Sequence, residues 1–209
     1  MTAPSPALWR SWQRCWAGVG AATDGLTVYE NLLQRHSEPH RRYHTLQHLS
    51  ECIVWFEKVG HLAKRPHEVE IAVWFHDAIY DLQSHENEEQ SAGLACLSLM
   101  TANVSSDVIE RIAQLVLATA HSVESTLHDE QLLVDIDLSI LGASQERFAE
   151  YEAQIRDEYG FVEETQFRAK RREILLTFLE RKRIYTTDLM FNELEAQARI
   201  NLIKATNVE

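Results

Sequence analysis

Apolar residues recur along this chain at helical spacing, broken by short polar stretches. Between Thr45 and Val59 the set Leu46, Leu49, Ile53, Val54 and Phe56 has a period of about 3.6, which predicts a helix there. The same spacing puts Leu8, Trp9, Trp12 and Trp16 on a first helix after Pro4 and Pro6, and Leu26, Tyr29, Leu32 and Leu33 on a second started by Asp24. Pro66 opens a further helix that contains the FHD triplet, at a first-turn position where proline is tolerated. Helices are also expected from Glu86 to Met100, from Ser105 or Ser106 through Leu117, and from Ser144 to Gly160. Two closing helices carry Phe167, Ile174, Leu175 and Phe178, then Phe191, Leu194, Ala198 and Leu202. A short, very apolar segment over residues 132–141 is ended by Gly142, and its "LLVDI" portion alone could pass as a strand. Alternation is otherwise too scarce for a sheet, so the expected class is all-α, a single multi-helix bundle over residues 1–209.

Composition narrows the picture further. The chain has 209 residues, 45% of them hydrophobic, which suits one domain with a substantial core. Only 7 Gly and 4 Pro punctuate it, favouring long helices over a turn-rich fold. The net charge of −12 argues against nucleic-acid polymers and anionic membranes as partners. Cys15, Cys52 and Cys96 are odd in number and widely spaced, so a reducing cytoplasm is expected rather than a disulfide framework. No leader-like apolar stretch stands at the N-terminus, and no segment reaches the ~18 apolar residues of a membrane span.

Four polar interruptions of apolar surroundings, and one charged run, carry the candidate chemistry. In RRYHTLQH, residues 41–48, His44 and His48 are four apart and would share a helix face, able to converge on one ion. In AVWFHDAIYD, His76 and Asp77 stand inside an apolar run, where a carboxylate costs several kcal/mol unless paired or bound to a metal. In LLVDIDLSILG, Asp135 and Asp137 interrupt aliphatic residues, and a cation would neutralise both economically. His121, in ATAHS, follows the apolar face of a long helix. Glu88 and Glu89, in HENEEQSA, could orient a ligand histidine from behind. Each has a plainer reading: surface histidines, a helix end, an aspartate meeting an arginine, a satisfied core histidine, a solvated charge run.

Taken in order, H-x-x-x-H, then HD, then an aspartate in an apolar helix, the chain resembles the HD-domain metal-dependent phosphohydrolase superfamily. RRYHTLQH is similar to the YHN-x-x-H motif of cyclic-nucleotide phosphodiesterases in that group. FHDAIYD, NEEQSA, DIDLSILG and ERKRIYTTDLMFNELEAQARINL resemble a bacterial family of predicted HD phosphohydrolases, over about residues 25–203. The resemblance implies a helical HD domain with a metal site in a central cleft. It makes His48, His76, Asp77 and Asp137 the metal ligands, with Asp135 the lesser claimant to the last place. It makes His44 a proton donor or phosphate contact; Asp77, besides being a ligand, could act catalytically by bridging a second ion or accepting the water's proton. The basic residue that the family carries after its last aspartate is absent here, since Leu138 follows Asp137.

A mixed nitrogen and oxygen shell suits Mn²⁺, Fe²⁺, Co²⁺, Ni²⁺ or Zn²⁺ better than Mg²⁺. The expected reaction is hydrolysis of a phosphomonoester or phosphodiester in a small molecule, a nucleotide among the candidates, by a metal-activated water. Arg41 or Arg42 is placed to hold a phosphate oxygen. Two other readings stay open: a nucleotide-binding sensor without turnover, and a di-iron oxygenase drawing on His85 and His121.

Overall fold

A computed structural model describes residues 6–120 and 125–207. Its described residues form helices and turns, with no strand among them. Seven α-helices come first: α1 (Pro6–Gly18), α2 (Leu26–Arg35), α3 (Leu46–Val59), α4 (Pro66–Phe75), α5 (Asn87–Thr101), α6 (Ser106–Ala118) and α7 (His128–Asp137). A 3₁₀ turn, Leu138–Gly142, leads to α8 (Gln145–Glu158), α9 (Glu164–Leu179) and α10 (Asp188–Thr206). Leu132, Leu133 and Ile136 are buried at helical spacing, so "LLVDI" belongs to α7. The chain separates into two compact units, Met1–Ile136 and Asp137–Glu209. No described helix is long and apolar enough to cross a membrane.

In the first unit α4 is the central element. Every residue from Glu68 to Phe75 is buried, and α1, α3, α5 and α6 all pack against it. A helix enclosed on all sides has no polar face to spare, which is why its sequence is apolar almost throughout. Trp12 and Trp74 meet edge to face with centroids 5.3 Å apart, and Trp12 stacks on Trp16 at 4.8 Å. The one carboxylate at the centre of this helix, Glu70, is satisfied locally: Ser11 Oγ donates to it at 2.7 Å and Arg14 Nε at 2.9 Å.

Helix starts follow their caps. Leu26 N donates to the Asp24 carboxylate at 3.1 Å, while Gly25, at φ 68°, makes the left-handed turn into α2. Thr45 caps α3 by accepting from Gln47 N at 3.2 Å. Ser144 caps α8 by accepting from Arg147 N at 3.3 Å.

The second unit is organised by the 3₁₀ turn lying on α10. Gly142 is there because a Cβ would sit 2.6 Å from the Leu194 Cβ. The Asn201 amide donates to Leu141 O and Ala143 O, each at 2.9 Å. Tyr185 Oη donates to Leu138 O at 2.9 Å, and Glu195 accepts from the backbone of Ile184 and Tyr185. Replacing Asn201 by Leu keeps the volume and orphans two carbonyls, each worth ~1–3 kcal/mol when buried. We expect urea unfolding of Asn201→Leu to show a loss of about 2–4 kcal/mol by that accounting. A loss below about 0.5 kcal/mol would mean that water replaces the amide.

Candidate metal centre

His48 sits one turn into α3, on the buried face shared with Leu49, Cys52 and Phe56. His44 is not on that helix. Thr45 is extended, at φ −112° and ψ −174°, and its hydroxyl is the cap, so α3 begins at Leu46. The shared-face argument for His44 and His48 is thereby corrected. His44 arrives from the preceding turn instead, stacked on Tyr80 with centroids 4.0 Å apart and with its ring 6.0 Å from that of His48. The FHD triplet also straddles a boundary. Helix α4 ends at Phe75, His76 is its C-cap, and Asp77 lies in the turn beyond. That ending suits the chemistry, because a helical Asp77 would point about 100° away from His76.

The turn is held from across the unit by Arg41, which is 3% exposed. Its Nη1 donates to Asp77 O at 2.6 Å and to His44 O at 3.1 Å, and its Nη2 donates to Ala78 O at 3.2 Å. Its Nε donates to Glu38 at 3.0 Å. A guanidinium committed in this way fixes backbone and is not placed to hold a phosphate oxygen, which corrects one half of the arginine expectation. Arg42 is exposed.

Three atoms that carry lone pairs meet at the centre. His76 Nδ1 lies 2.8 Å from Val73 O, and a carbonyl only accepts, so Nδ1 bears the proton and Nε2 of the neutral ring is bare. That Nε2 is 3.2 Å from His48 Nε2 and 3.1 Å from Asp77 Oδ2. His48 Nε2 is 3.4 Å from the same Asp77 oxygen. Asp77 Oδ2 is nevertheless buried without a hydrogen bond of proper geometry. Behind His48, Nδ1 lies 2.9 Å from the Tyr43 hydroxyl, which accepts its proton when Nε2 is the ligand. Bonds of ~2.1 Å to a divalent ion set ligand atoms about 3.0 Å apart on an octahedral edge and about 3.4 Å apart on a tetrahedral one. The observed separations fall in that interval, so the residues fit a cation.

Asp137 closes α7 and is the helix's one residue beyond Ile136. His48, Cys52, His76 and Asp137 each offer an atom within 4.8 Å of the others. Cys52 Sγ is 3.7 Å from both ring nitrogens of His48, which puts it beside the ring and out of line with either lone pair. The sulfur packs the imidazole in place. Asp135, the alternative last ligand, is fully buried and lies outside this cluster. Glu88 is half-buried in the first turn of α5, and His85 is exposed. His121 lies outside the described residues.

No protein-family model, curated protein or solved structure matches the chain. The site therefore rests on its own geometry.

Electrostatics agree with that geometry. Burial is the strongest influence on the Asp77 carboxyl and opposes its ionisation. Electrostatic interaction with the His76 and His44 side chains, with contacts to His48 and His76, outweighs it and holds the group well below the usual carboxylate range. A bound cation acts in the same direction.

Three further residues carry no sequence signal of their own. Tyr43 lies inside RRYHTLQH, and Cys52 follows His48 by one helical turn, outside that motif. His36 continues the buried face of α2 seven positions after Tyr29. It is 1% exposed, and neither ring nitrogen has a hydrogen-bond partner. Burial first, and Arg41 next, push its pKa down to about 3, while Asp77 pulls the other way. The unfolded ring titrates near ~6.5, so below that pH the unfolded chain binds the extra proton. His36 thus contributes stability that is complete above ~6.5 and is lost as pH falls toward the folded value. Between pH 7.5 and pH 5, His36→Leu is expected to lose about 2 kcal/mol less than wild type in chelator-treated urea melts. Parallel profiles would show that His36 is not buried and neutral.

Proposed function

We propose that the chain is a metal-dependent phosphohydrolase acting on a phosphomonoester or phosphodiester of a small molecule, with nucleotides among the candidate substrates. The observation that carries this reading is the meeting of His48 Nε2, His76 Nε2 and Asp77 Oδ2 within 3.1–3.4 Å, with Asp137 brought close by the end of α7. A divalent ion held there supplies a Lewis acid and brings the pKa of its bound water from ~15.7 toward ~7.

The side chains do the rest. His48, His76, Asp77 and Asp137 would hold the ion. Asp77, ionised at neutral pH, is also placed to accept a proton from the attacking water. His44 is half-buried against Tyr80, outside the ligand group, where a protonated imidazole can donate to the leaving oxygen. Proton transfer of this kind contributes ~10²–10⁴-fold. Arg41 keeps the His44 and Asp77 backbones in register through its paired bonds to their carbonyls. A di-iron oxygenase would draw on His85, which is exposed, and no distance favours that reading.

The test is phosphate or p-nitrophenol release from p-nitrophenyl phosphate and from bis(p-nitrophenyl) phosphate, with Mn²⁺ present. Wild type should turn over one of them and stop on chelation. Asp77→Ala should abolish turnover, and His44→Ala should lower kcat by ~10²–10⁴-fold while metal content stays unchanged. Nucleotide binding with no turnover across a broad phosphoester panel would replace this reading with that of a sensor.

A further inference from the structure

The second unit has a groove of about 660 Å³, within the range of small-molecule sites. It is built from one face of each of three helices. Residues 145, 148, 149 and 152 of α8 line it, as do residues 168, 171 and 172 of α9 and 201, 204 and 205 of α10. Each set has three- and four-residue spacing, so each is a continuous stripe. Phe148 and Phe167, with Ala149 and Ala169, supply apolar surface.

The charge of the groove runs against that of the chain. Arg168, Arg171, Arg172 and Lys204 line it, and Glu152 is its one carboxylate, in a protein of net charge −12. Two of the four cations are neutralised. Arg168 pairs with Glu164 at 2.5 Å, and Arg171 pairs with Glu152, its guanidinium lying 4.9 Å from the Tyr151 ring centroid. The other two meet only neutral acceptors. Arg172 Nε donates to Thr206 O at 2.9 Å, and Lys204 Nζ donates to Gln145 Oε1 at 2.7 Å. Among the described residues neither forms an ion pair, and neither Arg172 Nη group has a hydrogen bond, nor has Lys204 Nζ a second one. An apolar surface beside two uncompensated cations matches a ligand with an apolar body and one acidic head.

We propose that this groove is a second ligand site, separate from the metal centre, which takes a small organic anion. Its apolar body lies on Phe148 and Phe167, and its carboxylate, sulfonate or phosphate is held by Arg172 and Lys204. The ligand is held by apolar contact and charge-assisted hydrogen bonds, and no covalent step is involved.

Two fluorescent probes that share an apolar body test the assignment on the full chain: 8-anilinonaphthalene-1-sulfonate, which is anionic, and N-phenyl-1-naphthylamine, which is neutral. The sulfonate should bind saturably, one per chain, and at least about tenfold more tightly than the neutral probe. Arg172→Ala with Lys204→Ala should weaken it about tenfold or more, and Arg172→Lys with Lys204→Arg should restore it. Ala169→Trp, which fills the groove from α9, should block it with unchanged circular dichroism. Absence of saturable binding would overturn the proposal. Equal affinity for the two probes, or wild-type affinity in the double alanine variant or in Ala169→Trp, would do the same.

Discussion

The meeting of His48 Nε2, His76 Nε2 and Asp77 Oδ2 within 3.1–3.4 Å is the constraint on which the rest of the first unit turns. His76 Nδ1 must donate to Val73 O, which leaves Nε2 bare toward His48 and Asp77. In a chain without a cation, a single proton on His48 Nε2 cannot serve both His76 Nε2 and Asp77 Oδ2, and the buried Asp77 oxygen has no hydrogen bond of proper geometry. One divalent ion removes all of these costs together. The spacing of the atoms fits the edge of a coordination shell.

The surrounding structure serves that meeting. Helix α4 is enclosed on every side, so its C-terminal end is rigidly placed, and His76 and Asp77 emerge there. Arg41 spends its guanidinium on the carbonyls of His44, Asp77 and Ala78, joining the turn before α3 to the turn after α4. Tyr43 sets the outer nitrogen of His48, and Cys52 braces the ring from one turn below. These are the contacts by which a site keeps its ligands oriented. The second unit has its own polar scaffold, in which Asn201, Glu195 and Tyr185 bind backbone groups around the 3₁₀ turn and the start of α10.

Much of this was legible in the residues. The 3.6-residue period and the scarcity of Gly and Pro marked the helices, and RRYHTLQH, FHD and DID marked the places where polar groups break apolar faces. Periodicity could not reveal where helices stop. Thr45 removes His44 from α3, and the His76 side chain bonds back to Val73 as α4 ends, so both histidine motifs straddle a helix end. Those endings are decided by side-chain bonds to the backbone, which a pattern of apolar positions does not encode. The Arg41 clamp was also out of reach, because its acceptors are carbonyls 36 and 37 residues away. His36 reads in sequence as an ordinary residue after a helix. Only packing makes it a buried, unpartnered imidazole.

Cobalt(II) titration of the chelator-treated chain, followed by its visible absorption, tests the cation directly. One equivalent should saturate the spectrum, and the bands should vanish when either His48 or His76 is replaced by alanine. A chain that takes up no cobalt, or one whose spectrum survives the loss of either imidazole, would contradict a centre built on these two side chains.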